Sequence, residues 1–285
     1  MTIKSQQLYS MRNKLLIVLG FFFILSACQN DKLIKRGDTL NVAYQKAMAF
    51  YVEEDFNEAA NAFEQVTRLG RGTEFGQEAQ YYLAESYYKS RRYLLAASEY
   101  DRYISLYPQD ERRQEAEYKA ALCYYNQSPR FKLDQSATRT AIERFQLFNN
   151  RYPDSELVSD AASRIDELRN KLARKSYEAA QFYVRTEQYK AATIYLSETI
   201  DQYPESKWAE RALLDQIQTW ITYADNSVVS AQAERYNNAI EAYEKFIQLF
   251  PDSNFRSEVE NYHDEAQRKL ADVPASVGQE TSQSQ

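Results

Sequence analysis

The residues best placed to do chemistry in this chain are tyrosines, and they recur regularly. Six of the 24 tyrosines form three pairs, Tyr44 and Tyr51, Tyr81 and Tyr88, Tyr118 and Tyr125, seven residues apart within a pair and 37 from pair to pair. Seven residues are two helical turns, so each pair lies along one helix face. A tyrosine offers a wide apolar ring, a hydroxyl and little side-chain entropy to lose, which suits a wall that holds a peptide. Lys89, Arg91 and Arg92 follow the middle pair, where they could meet a carboxylate at a peptide terminus. Packing of helix on helix would use the same tyrosines, and spacing alone leaves both uses open. No catalytic constellation competes. His263 is the only histidine, which excludes a His-based triad and a His-rich metal site. The sequence has no G-x-x-x-x-G-K-[ST], no G-x-S-x-G and no cysteine cluster. The acids Glu53, Glu54 and Asp55 read as a solvated charge run at a turn. The expectation is a protein that is not an enzyme and needs no cofactor or metal.

Those tyrosines need helices to hold them, and the sequence repeats one. Its copies begin at Phe56, Tyr93, Thr138, Tyr189 and Tyr236. Three places on, every copy has alanine: Ala59, Ala96, Ala141, Ala192 and Ala239. Seven places on stands a large apolar residue, Phe63, Tyr100, Phe145, Leu196 or Tyr243. These offsets share one helix face, and the alanine lets a neighbouring backbone come close. Fifteen places on, four copies have proline (Pro108, Pro153, Pro204, Pro251), which stops the helix, and the first has Arg71. Asp110, Ser155, Ser206 and Ser253 then read as N-caps of the next helix. Upstream of the copies a second helix is legible, from Ala47, Ala84 and Ala180 nine places before and Phe50, Tyr87 and Tyr183 six before. The order resembles the tetratricopeptide repeat, here with insertions, since the copies are 37, 45, 51 and 47 residues apart. The fold class expected is all-α, an α-solenoid of about five tetratricopeptide-like helix pairs with a C-terminal capping helix. In that repeat class the first helix of each pair lines a concave groove, which would turn the six tyrosines into a ladder across it.

At the amino terminus Arg12 and Lys14 precede an apolar run over residues 15–27, too short to span a bilayer and read as a signal peptide. It ends Leu25-Ser26-Ala27-Cys28, which resembles a lipobox, with Cys28 the lipidation site and first residue of the mature chain. Acyl chains would then hold the body to a membrane without a span. The residue after Cys28 is Gln29 and not an aspartate, which would resemble an inner-membrane retention signal, so the outer membrane is expected. The formal charge is −6, and residues 1–27 carry Lys4, Arg12 and Lys14 with no acid, leaving −9 from Cys28 onward. That balance argues against nucleic acid as a partner. Cys123 alone remains as a thiol, so no disulfide framework exists, and it reads as a small buried residue.

The organisation expected is a signal peptide over 1–27, a lipidated tether over 28–39 and helix pairs one to three over 40–154. A joining helix, pairs four and five and a capping helix follow over 155–271, then a disordered polar tail over 272–285. Residues 155–187 read as one unbroken helix, with Leu157, Ala161, Ile165, Leu168 and Leu172 as its apolar stripe. Pair three carries an inserted segment over 126–135, and pair five a loop over 224–234. A lipobox, five such pairs, the segment SPRFKLDQSAT (128–138), AIERFQLFNNRYPDS (141–155) and the long helix together resemble the BamD family, lipoprotein subunits of the outer-membrane β-barrel assembly machinery. The resemblance covers about residues 28–270 and implies a non-catalytic, lipid-anchored protein on the periplasmic face of the outer membrane. It implies that unfolded outer-membrane proteins bind through pairs one to three. A BamA-like barrel-forming subunit would bind through pairs four and five. A surface glycan binder of the SusD type, or a scaffold for a peptidoglycan enzyme, are the other readings of such a solenoid.

Overall fold

A computed structural model describes residues 33–274. The signal peptide, Cys28, the first part of the tether and the tail from residue 275 lie outside the described residues. Those described form eleven helices and no strand: α1 (Leu40–Val52), α2 (Phe56–Leu69), α3 (Glu74–Lys89), α4 (Tyr93–Leu106), α5 (Arg113–Gln127), α6 (Ser136–Arg151), α7 (Val158–Arg185), α8 (Tyr189–Gln202), α9 (Lys207–Asp225), α10 (Val229–Leu249) and α11 (Arg256–Ala271). They make two compact units, the first running through Gln127 and the second beginning at Ser128.

In the first unit α1 to α5 pack each on the next. The small residues read from sequence make this possible: Ala47, Ala59, Ala84 and Ala96 are fully buried, as are Phe63 and Tyr100. Two turns are closed alike. Glu54 and Arg91 sit at positive φ (61° and 60°). The residue after each donates its N–H five residues back, Asp55 to the Phe50 carbonyl at 2.9 Å and Arg92 to that of Tyr87 at 2.8 Å. This is a Schellman closure with a side chain where glycine is usual. Between α2 and α3, where the proline stop is missing, Gly70 and Gly76 meet backbone to backbone. A Cβ on Gly76 would collide with the Gly70 carbonyl oxygen.

In the second unit α6 to α11 also pack in order, and α7 runs unbroken for 28 residues, about 42 Å at 1.5 Å per residue. Ala161 and Leu168 of its stripe are fully buried and Leu172 nearly so, while Ile165 is half-buried. Its C-terminus repeats the closure of the first unit, with Glu187 at φ 58° and Gln188 N–H donating to the Tyr183 carbonyl at 2.9 Å. Ala141, Ala192 and Ala239 are fully buried with Phe145 and Leu196, whereas Tyr243 is half-buried and stacks on His263 at 4.1 Å. Helices end before Pro108, Pro153, Pro204 and Pro251 at Tyr107, Tyr152, Tyr203 and Phe250, each with φ between −127° and −135°. Of the four caps read from sequence, Ser206 caps its helix, accepting from Ala209 N–H at 3.3 Å. Asp110, Ser155 and Ser253 instead accept from the N–H two residues on, so a turn intervenes before the helix. The loop expected over 224–234 is only Asn226 to Val228. The good helix formers Ala231, Gln232, Ala233 and Glu234 extend α10 backward.

Candidate functional site

The first helices of the first three pairs, α1, α3 and α5, carry the six tyrosines within the first unit. Between them lie ion pairs that step through the unit at 34 residues. From Tyr51, the step reaches Glu85 and then Lys119; from Tyr44, it reaches Glu78 and then Arg112. Lys119 Nζ donates to Glu85 Oε1 at 2.6 Å, to the Tyr81 hydroxyl at 3.1 Å and pairs with Glu115 at 2.7 Å. Tyr51 donates to the other Glu85 oxygen at 3.5 Å, and Tyr100 donates to Oε1 from below. Glu85, only 5% exposed, thus has its lone pairs used by a cation and two hydroxyls, which is what makes a buried carboxylate tolerable. Arg112 grips Glu78 through two nitrogens, at 2.7 and 3.0 Å, reaches Asp110 at 3.3 Å and lies 4.8 Å over the Tyr81 ring.

Charge states follow. Burial of Lys119 works against its charge, but Glu85 and Glu115 outweigh it and its pKa rises. Burial pushes the Tyr44 and Tyr51 hydroxyls up to about 12, with Glu78 and Glu85 adding to it. Both tyrosines therefore remain neutral hydrogen-bonding groups at neutral pH. Lys119 holds Glu115 below the usual carboxylate range although burial opposes it, and Tyr103 and Arg112 do the same for Asp110.

Of the six tyrosines read from sequence, Tyr81 and Tyr118 are buried, at 6% and 7% exposure, and Tyr44, Tyr51, Tyr88 and Tyr125 are half-buried. Tyr44 and Tyr51 pack against Phe63, and Tyr51 also against Tyr82 at 5.1 Å. Tyr88 stands edge-on to Tyr93 at 5.6 Å and accepts a hydrogen bond from Asn126 at 3.2 Å. Lys89, Arg91 and Arg92 are exposed at the α3–α4 turn, with the Arg92 guanidinium 4.8 Å from the Tyr87 ring. Sequence reasoning passed over Glu78, Arg112, Glu115 and Lys119. The 37-residue step is that of the second helices, whereas the first helices α1 and α3 begin 34 residues apart.

Two protein families match this chain, one of them a tetratricopeptide repeat as the architecture requires. Residues 36–223, about two thirds of the chain, match the YfiO family, described as outer membrane lipoprotein, and residues 229–253 match a tetratricopeptide repeat. A protein of Caulobacter vibrioides named outer membrane protein assembly factor BamD is 27% identical over 189 residues, 66% of this chain and 60% of its own length. One of the same name from Neisseria meningitidis serogroup B is 24% identical over 216 residues, 70% of this chain and 81% of its own. This chain thus spans less than two thirds of the first relative. Among solved structures, the TPR2AB domain of yeast Sti1 in its pHSP90 complex aligns with 80% of this chain and 98% of its own, at 14% identity and a TM-score of 0.40. With a family match extending from the tether across α1 to α8 and into α9, the chain belongs to the YfiO family of outer membrane lipoproteins.

Proposed function

We propose that this protein is a non-catalytic subunit of an outer-membrane β-barrel assembly machinery, anchored to the outer membrane through acylated Cys28 with its body on the periplasmic face. The reading rests on family membership, on the names of its relatives and above all on the tyrosine-lined face of α1, α3 and α5. There the half-buried Tyr44, Tyr51, Tyr88 and Tyr125 offer apolar area beside ion pairs that already satisfy one another. A wall of that kind accepts an extended, largely apolar chain without demanding a particular charge. Unfolded outer-membrane proteins fit it as ligand, with Lys89, Arg91 and Arg92 at its edge for a terminal carboxylate.

A BamA-like barrel-forming subunit is assigned to pairs four and five. In support, a cavity of about 610 Å³ opens there beside Tyr189, Ile194 and Tyr223, and Phe182 and Ile194 are more than half exposed. Co-purification of the lipidated protein from mild detergent tests the whole reading. The expected companion is a β-barrel assembly protein. Recovery of a TonB-linked transporter or of a murein hydrolase in its place would move the protein to glycan capture or to peptidoglycan scaffolding.

A further inference from the structure

The second unit holds a cavity that the tyrosine wall does not use. The inserted loop over residues 128–135 is tied down on α7, where Lys171 Nζ donates to Ser128 Oγ at 2.8 Å and Lys175 Nζ to the Leu133 carbonyl at 2.6 Å. Gln135, 1% exposed, locks the loop from within. It donates to the carbonyls of Arg130 and Leu133, each at 3.0 Å, and accepts from Thr138 at 2.7 Å. An insertion fixed by that many bonds positions its side chains as a helix would.

Between this loop, α7 and the first turn of α9 lies a space of about 430 Å³, walled by Phe131 and Trp208. The Arg174 guanidinium lies near both rings, 4.2 Å from the first centroid and 5.5 Å from the second. Arg130, Lys171 and Lys207 complete a set of four cations facing one acid, Glu167. That local balance is the reverse of the chain's own, which is −6. Among the described residues Arg130 and Lys207 have no carboxylate within ion-pair distance, and Arg174 has Glu178 at 3.8 Å. Like charges gathered around a cleft repel one another and raise the local concentration of anions.

We propose that this cavity binds an acidic segment of a partner protein, a carboxylate being held by Arg174 and Lys207 while a neighbouring apolar side chain lies against Phe131 and Trp208. Guanidinium groups recognise carboxylates through paired hydrogen bonds, and this one is already oriented by the rings beside it. The volume lies within the range of ligand pockets. A bare phosphate would leave both aromatic faces unused, so the rings favour a peptide. The proposal does not depend on the tyrosine-bearing helices α1, α3 and α5, since the cavity is built on α7, α9 and the inserted loop and takes an acidic ligand.

Fluorescence anisotropy on the full-length lipidated protein in mild detergent tests it. The probe is a fluorescein-labelled peptide alternating glutamate with phenylalanine, set against its glutamine analogue, inorganic phosphate and phosphatidylglycerol vesicles. The glutamate peptide is expected to bind at least about tenfold tighter than the analogue, and Lys207→Glu and Arg174→Gln should each weaken it by about tenfold. Lys207 is exposed in the first turn of α9, where an acid is well tolerated, so an unchanged melting temperature separates lost binding from lost fold. Equal binding of the two peptides, indifference to Lys207→Glu, or displacement of the peptide by phosphate or by vesicles would each overturn the proposal.

Discussion

Tyr81 and Tyr88 stand two turns apart on α3, yet one is buried among Arg112, Lys119 and Tyr103 and the other is half-buried beside Tyr93. Truncating them should therefore do different things. Tyr81→Ala leaves a cavity and should cost on the order of 3 to 5 kcal/mol of stability. Tyr88→Ala removes a partly solvated ring from a helix that tolerates alanine. It should melt near normally and bind a peptide bearing the last residues of an outer-membrane barrel protein more weakly. Arg92→Ala should weaken the same binding in a salt-dependent way. Melting curves and titrations on the two tyrosine variants check this, and a large stability loss for Tyr88→Ala would place that residue in the core. The acids predict a pH response as well. Asp110 and Glu115 have lowered pKa values, so the stability they contribute is present above the ordinary carboxylate value, about 4, and is lost as pH falls through their folded values. Asp215, which accepts from Tyr177 and Gln181 at 2.6 Å each, is raised by burial, and what it contributes at low pH is lost as pH climbs through the carboxylate range. Glu115→Gln should flatten the acid limb of the melting temperature between pH 5 and 3, and Asp215→Asn should leave that limb as steep or steeper. At this scale the tyrosines were legible because aromatic spacing survives in the sequence. Their charged neighbours were not, because each comes from another helix and only the stacking of α1, α3 and α5 brings Tyr51, Glu85 and Lys119 together.

The helices were legible nearly to the residue where a small residue and a proline bracket them. Four of the five second helices end at the residue two before proline, and all five alanines at the third offset are fully buried. Where the chain departs from that punctuation the reading slipped. Nothing like proline marks the start of α10, and its alanine-rich lead-in reads as loop because the repeat begins only at Tyr236. The closures at Glu54, Arg91 and Glu187 were also hidden, since a left-handed residue announces itself in sequence mainly when it is glycine or asparagine. They carry a prediction of their own. An L-residue in that conformation costs about 1 to 2 kcal/mol that glycine avoids. Its greater freedom when unfolded takes part of that back. Glu187→Gly should therefore stabilise the α7–α8 turn by roughly 0.5 to 1 kcal/mol. Chemical denaturation would show this as a higher midpoint with an unchanged slope.

As a whole molecule the chain is two compact units, each with its own buried core, Phe63, Tyr100 and Tyr103 in one and Leu196, Leu213 and Phe246 in the other. Within each unit the packing of helix on helix was readable, because alanine at the contact and proline at the stop act locally. The division into units was not derivable from the repeat, since pair three gives α5 to one unit and α6 to the other. One consequence follows from Cys123, which lies fully buried in α5 within the first unit. From residue 29 onward no other cysteine exists, so in the body without its anchor a thiol reagent can react only when the first unit opens. Tyr81→Ala should speed that reaction by about a hundredfold or more if opening is global, and by much less if α5 frays alone. The chain thus carries its own stopwatch, one that starts when the half bearing the tyrosines lets water in.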